Sequence, residues 1–188
     1  WPRCTTLPAD AFTNRMRPLE DVLGGVAADL CRRLRAADGD EAIYAVLDEV
    51  LLSLLTDRPE DATVATAHAA LQDPQVQPVA DRSEAVGLSS RQLERFSLRY
   101  FGLSPKRLLR RQRLLRTLAA MREAPQGTWS QQIDHRFADQ AHFIHDFNYY
   151  MGISPSAYLA RVQPIMAEAW KRRKALLGSP VQVLQPPS

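Results

Sequence analysis

The amino-acid sequence predicts an all-α protein with two helix-turn-helix subdomains joined by a long helix and preceded by a small helical N-terminal region. Apolar residues recur at spacings of three and four along most of the 188 residues, and no segment shows the alternation of a strand. A third observation is a repeated phrase, aromatic-x-Gly-x-Ser-Pro, which occurs as "YFGLSP" from Tyr100 and as "YMGISP" from Tyr150. The repeat indicates two related helical units.

The chain before the repeat predicts the small helical region. Apolar spacing favours amphipathic helices over 18–36 and 40–56, and a short helix over 62–72 follows the boundary sequence "TDRPED". One apolar stripe is expected to pack against 43–54 and to contribute to a homodimer. Its members are Leu19, Val22, Leu23, Val26 and Leu30.

The first copy of the phrase closes a predicted helix-turn-helix. A helix ends near Val86, Gly87 supplies the positive φ of a tight turn, and Ser89 or Ser90 begins the next helix as its N-cap. The second helix is expected to bury one face, formed by Leu93, Phe96 and Tyr100. Its polar first turn suits base edges in the major groove, and the side chains there are Ser90, Arg91 and Gln92.

The second copy follows the same plan. "WSQQIDHRF" predicts a first helix, and "ADQAHFIHDFNYYMG" predicts a second. Phe143, Phe147 and Tyr150 would face inward, which leaves Gln140, His142 and His145 on the outer face. Gly102 and Gly152 stand where each second helix must end, and Ser-Pro then begins a new one. The repeated phrase is therefore a C-cap followed by an N-cap.

The segment between the copies predicts the joining helix. It runs from Pro105 to about Glu123, which corresponds to about 28 Å at about 1.5 Å per residue. One turn of duplex DNA is about 34 Å, so a helix of this length can hold two recognition helices on one face of a duplex. Residues 79–124 hold 11 Lys and Arg against 4 Asp and Glu, whereas residues 1–78 hold 7 Arg against 13 acidic residues. This uneven charge favours a polyanionic partner for the middle of the chain.

The phrases "LSSRQLER", "YFGLSPKRLLR", "FADQAHFIHDF" and "GISPSAYL" together resemble the DNA-binding domain of AraC/XylS-family transcription regulators. The resemblance implies a bacterial, cytoplasmic transcription factor that binds double-stranded DNA, with RNA polymerase and an unidentified effector as candidate partners. It divides the chain into a regulatory or dimerisation remnant at 1–60, the double helix-turn-helix domain at 61–163, and a C-terminal helix with a flexible tail at 164–188. We expect no enzymatic activity, cofactor, metal or membrane association.

The resemblance also assigns roles to individual residues. Base contacts fall on Ser90, Arg91, Glu94 and Arg95 in the first half, and on Gln140, His142 and His145 in the second half. Phosphate contacts are expected from the exposed polar groups around these helices. They are Ser89, Arg99, Lys106, Arg107, Arg111, Arg136 and Ser154.

Three positions depart from the family pattern. Ser97 stands where a core Phe is usual, so the buried face of the first recognition helix is expected to rotate toward Phe96. Gln132 and Arg136 stand where the second turn usually has a small residue and Gly. We expect Arg136 to be helical, with Phe137 buried and Asp139 capping the recognition helix, because positive φ strains a residue with a Cβ.

Two other functions are compatible with the sequence. The chain could be a helical adaptor with a degenerate second helix-turn-helix, or a metal-dependent enzyme that uses His135, His142, His145 and Asp146. The enzyme is disfavoured because no second ligand pair stands at a diagnostic spacing and no nucleotide-binding motif is present. The arginines of the joining helix could also form an ordinary solvated face. Because the chain does not begin with Met, we expect it to be a fragment of a longer protein.

Overall fold

The computed structural model describes residues 3–72, 79–123, 128–135, 137–161 and 164–177. Throughout these ranges the regular structure is helical, and the predicted all-α fold class is confirmed. Two compact units are formed, one by Trp1–Ala70 with Gln75–Pro105 and the other by Leu71–Pro74 with Lys106–Ser188. None of the described helices combines the length and apolar character needed to cross a bilayer.

The N-terminal region of the first unit differs from the prediction at both glycines of "GG". Instead of one helix over 18–36, the chain forms α1 (Glu20–Leu23) and α2 (Val26–Ala36). Gly24 has a φ of 54° and a ψ of −134°, a conformation outside the helical region, and it ends α1. The next helix, α3 (Gly39–Ser53), packs against α2 as expected and ends earlier than predicted.

The rest of the first unit carries the first helix-turn-helix. It comprises α4 (Asp61–Gln72), α5 (Val79–Val86) and α6 (Ser90–Phe101). Gly87 lies between α5 and α6 with a φ of 72°, as the turn requires. The guanidinium of Arg82, which is 1% exposed, donates to the carbonyl of Ala70 and ties α5 to α4. The first predicted helix-turn-helix therefore has regular helices on both sides of its turn.

A short 3₁₀ helix near the N-terminus, η1 (Ala9–Ala11), packs against α6. Thr13, just after η1, donates from Oγ1 to the carbonyl of Gly102 at 2.7 Å. Gly102 is the left-handed C-cap of α6, with a φ of 76°. A segment 89 residues upstream thus covers the end of the first recognition helix.

The second unit is built on the joining helix α7 (Pro105–Glu123), which has its predicted bounds. After it come the 3₁₀ helix η2 (Trp129–Gln132) and the helices α8 (Gln140–Met151), α9 (Pro155–Leu159) and α10 (Pro164–Leu177). The buried core of this unit lies between α7, α8 and α9. Its members are Leu114, Leu118, Met121, Phe137, Phe143, Phe147 and Tyr158.

The prediction of an α-helix over "WSQQIDHRF" is wrong for the described part of that segment. Only Trp129–Gln132 is helical, as a single 3₁₀ turn, and Ile133 is already extended with a ψ of 128°. The following backbone is instead held by α7, because the N–H of Asp134 donates to the buried Oγ1 of Thr117 at 3.0 Å. Phe137 is buried, as predicted. The prediction for Arg136 and the expected tail from 178 onward fall outside the described residues.

Candidate nucleic-acid interface

The first recognition helix, α6, begins with a complete capping box. Ser89 accepts on Oγ from the N–H of Gln92 at 3.3 Å, and the side chain of Gln92 accepts from the N–H of Ser89 at 2.8 Å. These bonds satisfy backbone donors that a helix start leaves free. The four predicted base-contact side chains of this helix are all exposed. They are Ser90, Arg91, Glu94 and Arg95.

The buried face of α6 is only partly the one predicted. Leu93 and Ser97 are fully buried, whereas Phe96 and Tyr100 are half-buried and contact each other with ring centroids 4.4 Å apart. The expected rotation of the face toward Phe96 did not occur, because Ser97 donates from Oγ to the carbonyl of Leu103 at 2.6 Å. A hydroxyl with a bonded partner can occupy a core position at little cost.

The side of α6 next to the N-terminal segment forms an open cleft of about 500 Å³. Arg95 and Arg99 line one wall, and Asp10 and Glu60 bring negative charge to the other. Arg99 also lies over the ring of Tyr100, with its Cζ 5.7 Å from the ring centroid. The predicted reader Arg95 and the predicted phosphate contact Arg99 therefore share one cleft.

The second recognition helix, α8, is capped as predicted. Asp139 accepts from the N–H of His142 at 2.7 Å, which fixes the start of the helix at Gln140. Of the three predicted base contacts, Gln140 and His145 are exposed, whereas His142 is half-buried. The ring of His142 stands edge-on to Phe137 at 5.4 Å. Two of these three side chains are thus exposed on the helix.

A buried ion pair fastens α8 to the joining helix. The carboxylate of Asp146 is 1% exposed, and its Oδ1 accepts from Nε of Arg110 at 2.8 Å and lies 2.6 Å from Nη2. The guanidinium also lies over the rings of Tyr149 and Tyr150, at 4.8 and 5.7 Å from their centroids. The hydrogen bond from Arg110 to Asp146 raises the pKa of Arg110, so the guanidinium keeps its charge.

Both histidines of α8 lie beside this pair. Nδ1 of His145 is 3.3 Å from Nη2 of Arg110 and 3.6 Å from Oδ1 of Asp146. Nε2 of His142 is 3.8 Å from Oδ2 of Asp146, longer than a hydrogen bond. No group of three or more His, Cys, Asp or Glu side chains in the described ranges is arranged to hold a metal ion.

The basic side chains of α7 divide into two kinds. Lys106, Arg107 and Arg111 are exposed, as phosphate contacts require. Arg110 is occupied by Asp146, and Arg113 lies over the ring of Phe137 at 5.2 Å. The arginines of α7 therefore do not form one uniform solvated face. The remaining predicted phosphate contacts with described positions, Ser89, Arg99 and Ser154, are also exposed.

Sequence reasoning missed the role of Asp146. It treated this residue only as a possible metal ligand beside the histidines. One signal was present: Asp146 stands between Phe143 and Phe147, on the side of the helix that the pattern itself assigns to the core. A buried carboxylate needs a cationic partner, and the nearby helix is rich in Arg. Which arginine supplies the charge could not be read from the spacing.

Residues 82–161 match the family model described as a helix-turn-helix domain. The match begins in α5, contains both recognition helices and α7, and ends just after α9. No curated protein and no solved structure is similar enough to the chain to count as a match.

Proposed function

We propose that this chain reads a specific duplex sequence with α6 and α8, because residues 82–161 match the model of a helix-turn-helix domain and the sequence resembles AraC/XylS-family regulators. The two recognition helices enter successive major-groove segments of one DNA face. Helix-turn-helix domains place their second helix in the major groove of DNA, and this is the role proposed for α6 and α8.

One observation carries the proposal. Each recognition helix has a side-chain cap at its start, a left-handed glycine at its end and a buried apolar face. This leaves a polar first turn on the outside, with Arg91 and Arg95 on α6 and Gln140 and His145 on α8. Arg suits guanine and Gln suits adenine in the major groove. A capped and rigid helix presents such groups with little loss of conformational entropy.

The joining helix supports the same function through its length and charge. With 19 residues, α7 is about 28 Å long at about 1.5 Å per residue, close to the pitch of duplex DNA. Its exposed cations Lys106, Arg107 and Arg111 would contact phosphates, which fixes the position of a protein on DNA without reading sequence.

A homodimer through the N-terminal region is part of the proposal. The predicted interface stripe is only partly available, because Leu30 is 4% exposed and packs inside the unit. The exposed apolar side chains are concentrated on α3 and its end, at Tyr44, Leu51, Leu52 and Leu55. We expect Leu52→Asp to lower the sedimentation-derived dimer fraction, whereas Asp40→Asn at the start of α3 leaves it unchanged. A chain that is monomeric at high concentration would remove the dimer from the proposal.

The test of base reading is selection of duplexes from a random pool, followed by affinity measurements on the selected and scrambled sites. Arg91→Ala and Arg95→Ala should each weaken the selected site by about 1–3 kcal/mol and relax base choice at one position. Arg111→Ala is the matched control on α7, and it should weaken selected and scrambled duplexes alike.

Equal losses on both kinds of duplex for all three variants would contradict the assigned readers. A pool that yields no preferred sequence would contradict sequence-specific binding itself. A second candidate function, an adaptor with a degenerate second half, is favoured by the reduction of its first helix to the single turn η2. The adaptor predicts a selected site that covers only the bases read by α6.

A further inference from the structure

The exposed ring of His145 contacts Arg110, which forms an ion pair with the buried carboxylate of Asp146. Asp146 lies between two core phenylalanines at 1% exposure, and its Oδ1 binds Arg110 through both Nε and Nη2. The guanidinium is further enclosed by the rings of Tyr149 and Tyr150. Arg110 is therefore fixed in position on the side of α8 that faces α7.

Nη2 of this fixed guanidinium carries two hydrogens. One is directed to Oδ1 of Asp146, at 2.6 Å, and Nδ1 of His145 lies 3.3 Å from the same nitrogen. A guanidinium only donates hydrogen bonds. Nδ1 must therefore be the acceptor, which puts the single proton of the neutral imidazole on Nε2.

We propose that Asp146 and Arg110 fix the tautomer of His145, so that α8 presents an Nε2–H donor to an acceptor on a base edge of DNA. Asp146 and Arg110 are positioning residues, and His145 is the reader. The assignment of the reader rests on the proposed function, whereas the tautomer is a property of the free protein.

The opposite tautomer is disfavoured by the same contacts. A proton on Nδ1 would point at the N–H of Arg110, and Oδ1 of Asp146 is 3.6 Å away and already accepts two donors. The other polar groups around the pair belong to His142, Arg107 and the two tyrosines. Nε2 of His142 faces Oδ2 of Asp146, and Arg107 donates to the hydroxyl of Tyr149 at 3.4 Å, so neither of these contacts involves Nδ1 of His145.

A donor at this position has a definite consequence for base choice. In the major groove guanine offers two acceptors, N7 and O6, whereas cytosine offers only an amino donor. A fixed Nε2–H should therefore favour guanine and reject cytosine at the base that His145 meets. An imidazole free to exchange its tautomers could accept from cytosine as well, and the preference would be weaker.

The first experiment measures the tautomer in the full chain without DNA. Long-range ¹H–¹⁵N spectra distinguish a protonated from an unprotonated ring nitrogen, so at neutral pH His145 should show a protonated Nε2 and an unprotonated Nδ1. The double variant Asp146→Leu with Arg110→Met replaces the ion pair by apolar groups of similar size, a change that buried pairs tolerate. Its His145 should show averaged signals from both tautomers, whereas Arg107→Gln should leave the spectrum of the unaltered chain.

A protonated Nδ1 in the unaltered chain, or the same spectrum in the double variant, would overturn the proposal. If the double variant fails to fold, Arg110→Lys removes the Nη2 contact and keeps the charge next to Asp146. Its His145 should then also show averaged signals, and an unchanged spectrum overturns the proposal equally.

The second experiment selects duplexes with reader variants. His145→Arg offers donors only and should keep the base preference of the unaltered chain. His145→Glu offers acceptors only and should lose about fivefold to tenfold in affinity for the selected site, with a shift toward cytosine at one position. Failure to bind any duplex, with Nε2 still protonated, would refute the reader role and the proposed function together but not the tautomer. Specific binding with an averaged tautomer would refute the positioning role alone.

Discussion

The two recognition helices have the same ends and different interiors. Both α6 and α8 span 12 residues, begin at a side-chain cap and stop at a left-handed glycine followed by Ser-Pro. Inside, α6 buries Leu93 and a hydrogen-bonded Ser97, whereas α8 buries two phenylalanines and an aspartate that is paired with an arginine. The repeated phrase thus sets where each recognition helix ends and where the following helix starts, and the residues inside each recognition helix decide what holds it.

The difference shows two ways of holding a reading helix. The first helix has a complete partner in α5, with Gly87 at the turn, and its C-terminal end is covered by η1 and Thr13. In the described part of the segment between α7 and α8, the second is preceded by the single turn η2. An aromatic cluster and the Arg110–Asp146 pair join it to α7. A short first helix is therefore compatible with a well-held second one when another helix supplies the contacts.

A substitution in the aromatic cluster should give the largest difference in stability between the two recognition helices. Phe143 has ring neighbours in Trp129, Phe137 and Phe147, at centroid distances of 5.7, 5.3 and 5.5 Å. Phe143→Ala removes burial and these ring contacts, so it should lower the free energy of unfolding by about 3–5 kcal/mol. Leu93→Ala, the equivalent deletion in α6, should cost less than Phe143→Ala because no aromatic contacts are lost with it.

Denaturant titration followed by circular dichroism gives both values. Asn148→Ala, at an exposed position of α8, is the control and should change stability by less than about 0.5 kcal/mol. A cost for Phe143→Ala no greater than that of Leu93→Ala would show that the aromatic cluster does not distinguish the two halves.

Alanine substitutions at the two glycine caps should give the next largest difference in stability. Alanine in the left-handed conformation costs about 1–2 kcal/mol, and Gly152→Ala should cost only this, because nothing lies within 4 Å of the added Cβ. At Gly102 the Cβ would overlap Oγ1 of Thr13 and lie 3.2 Å from the carbonyl oxygen of Ala9. Gly102→Ala should therefore cost more than Gly152→Ala in urea denaturation.

A double-mutant cycle with Thr13→Ala isolates the contact. In that background the cost of Gly102→Ala should fall toward that of Gly152→Ala, since the overlapping oxygen is gone. Equal costs of the two glycine variants in the unaltered chain would mean that η1 does not press on the end of α6.

The smallest expected effect is a pH dependence of the stability of the first unit. Burial lowers the pKa of His68 below its ordinary value of 6.5, and its ring lies 6.1 Å from that of Phe101 at the end of α6. The unfolded chain then binds a proton at higher pH than the folded chain, so stability falls as pH drops through 6.5 toward the folded pKa. His68→Gln should flatten this part of the pH–stability curve measured by thermal unfolding. A curve with the same slope in both proteins would exclude His68 as its cause.

The caps and bounds of α6, α7 and α8 and the start of α9 were predictable because Gly, Ser, Asp and Pro act through local backbone chemistry. The break in the N-terminal helix was also local, yet the helix predicted over 18–36 took no account of the two consecutive glycines, Gly24 and Gly25. The 3₁₀ turn η2 was not predictable in the same way, because the backbone after it is held by Thr117 of another helix. Contacts with another helix determined the conformation of that segment.

The candidate site divides in the same manner. The exposure of Arg91, Arg95, Gln140 and His145 follows from helical spacing, whereas that of Ser90 and Glu94 was implied by the family resemblance. The half-buried position of His142 and the burial of Ser97 depend on Phe137 and on the carbonyl of Leu103, which no spacing reveals. The pairing of Arg110 with Asp146 joins residues 36 positions apart.

That pairing also changes how the charge of α7 should be counted. A cation contributes to the salt dependence of DNA binding by displacing ions condensed on the duplex, at about 0.9 ions per phosphate neutralised. The charge of Arg110 is already balanced by a carboxylate inside the protein, so binding DNA need not release an ion on its account. Counting every arginine of α7 therefore overestimates the number of ions that would be released when the helix binds DNA. Ionic strength would act mainly through the exposed cations beside Arg110, while the pair itself, whose carboxylate is buried, keeps α8 in place at high salt.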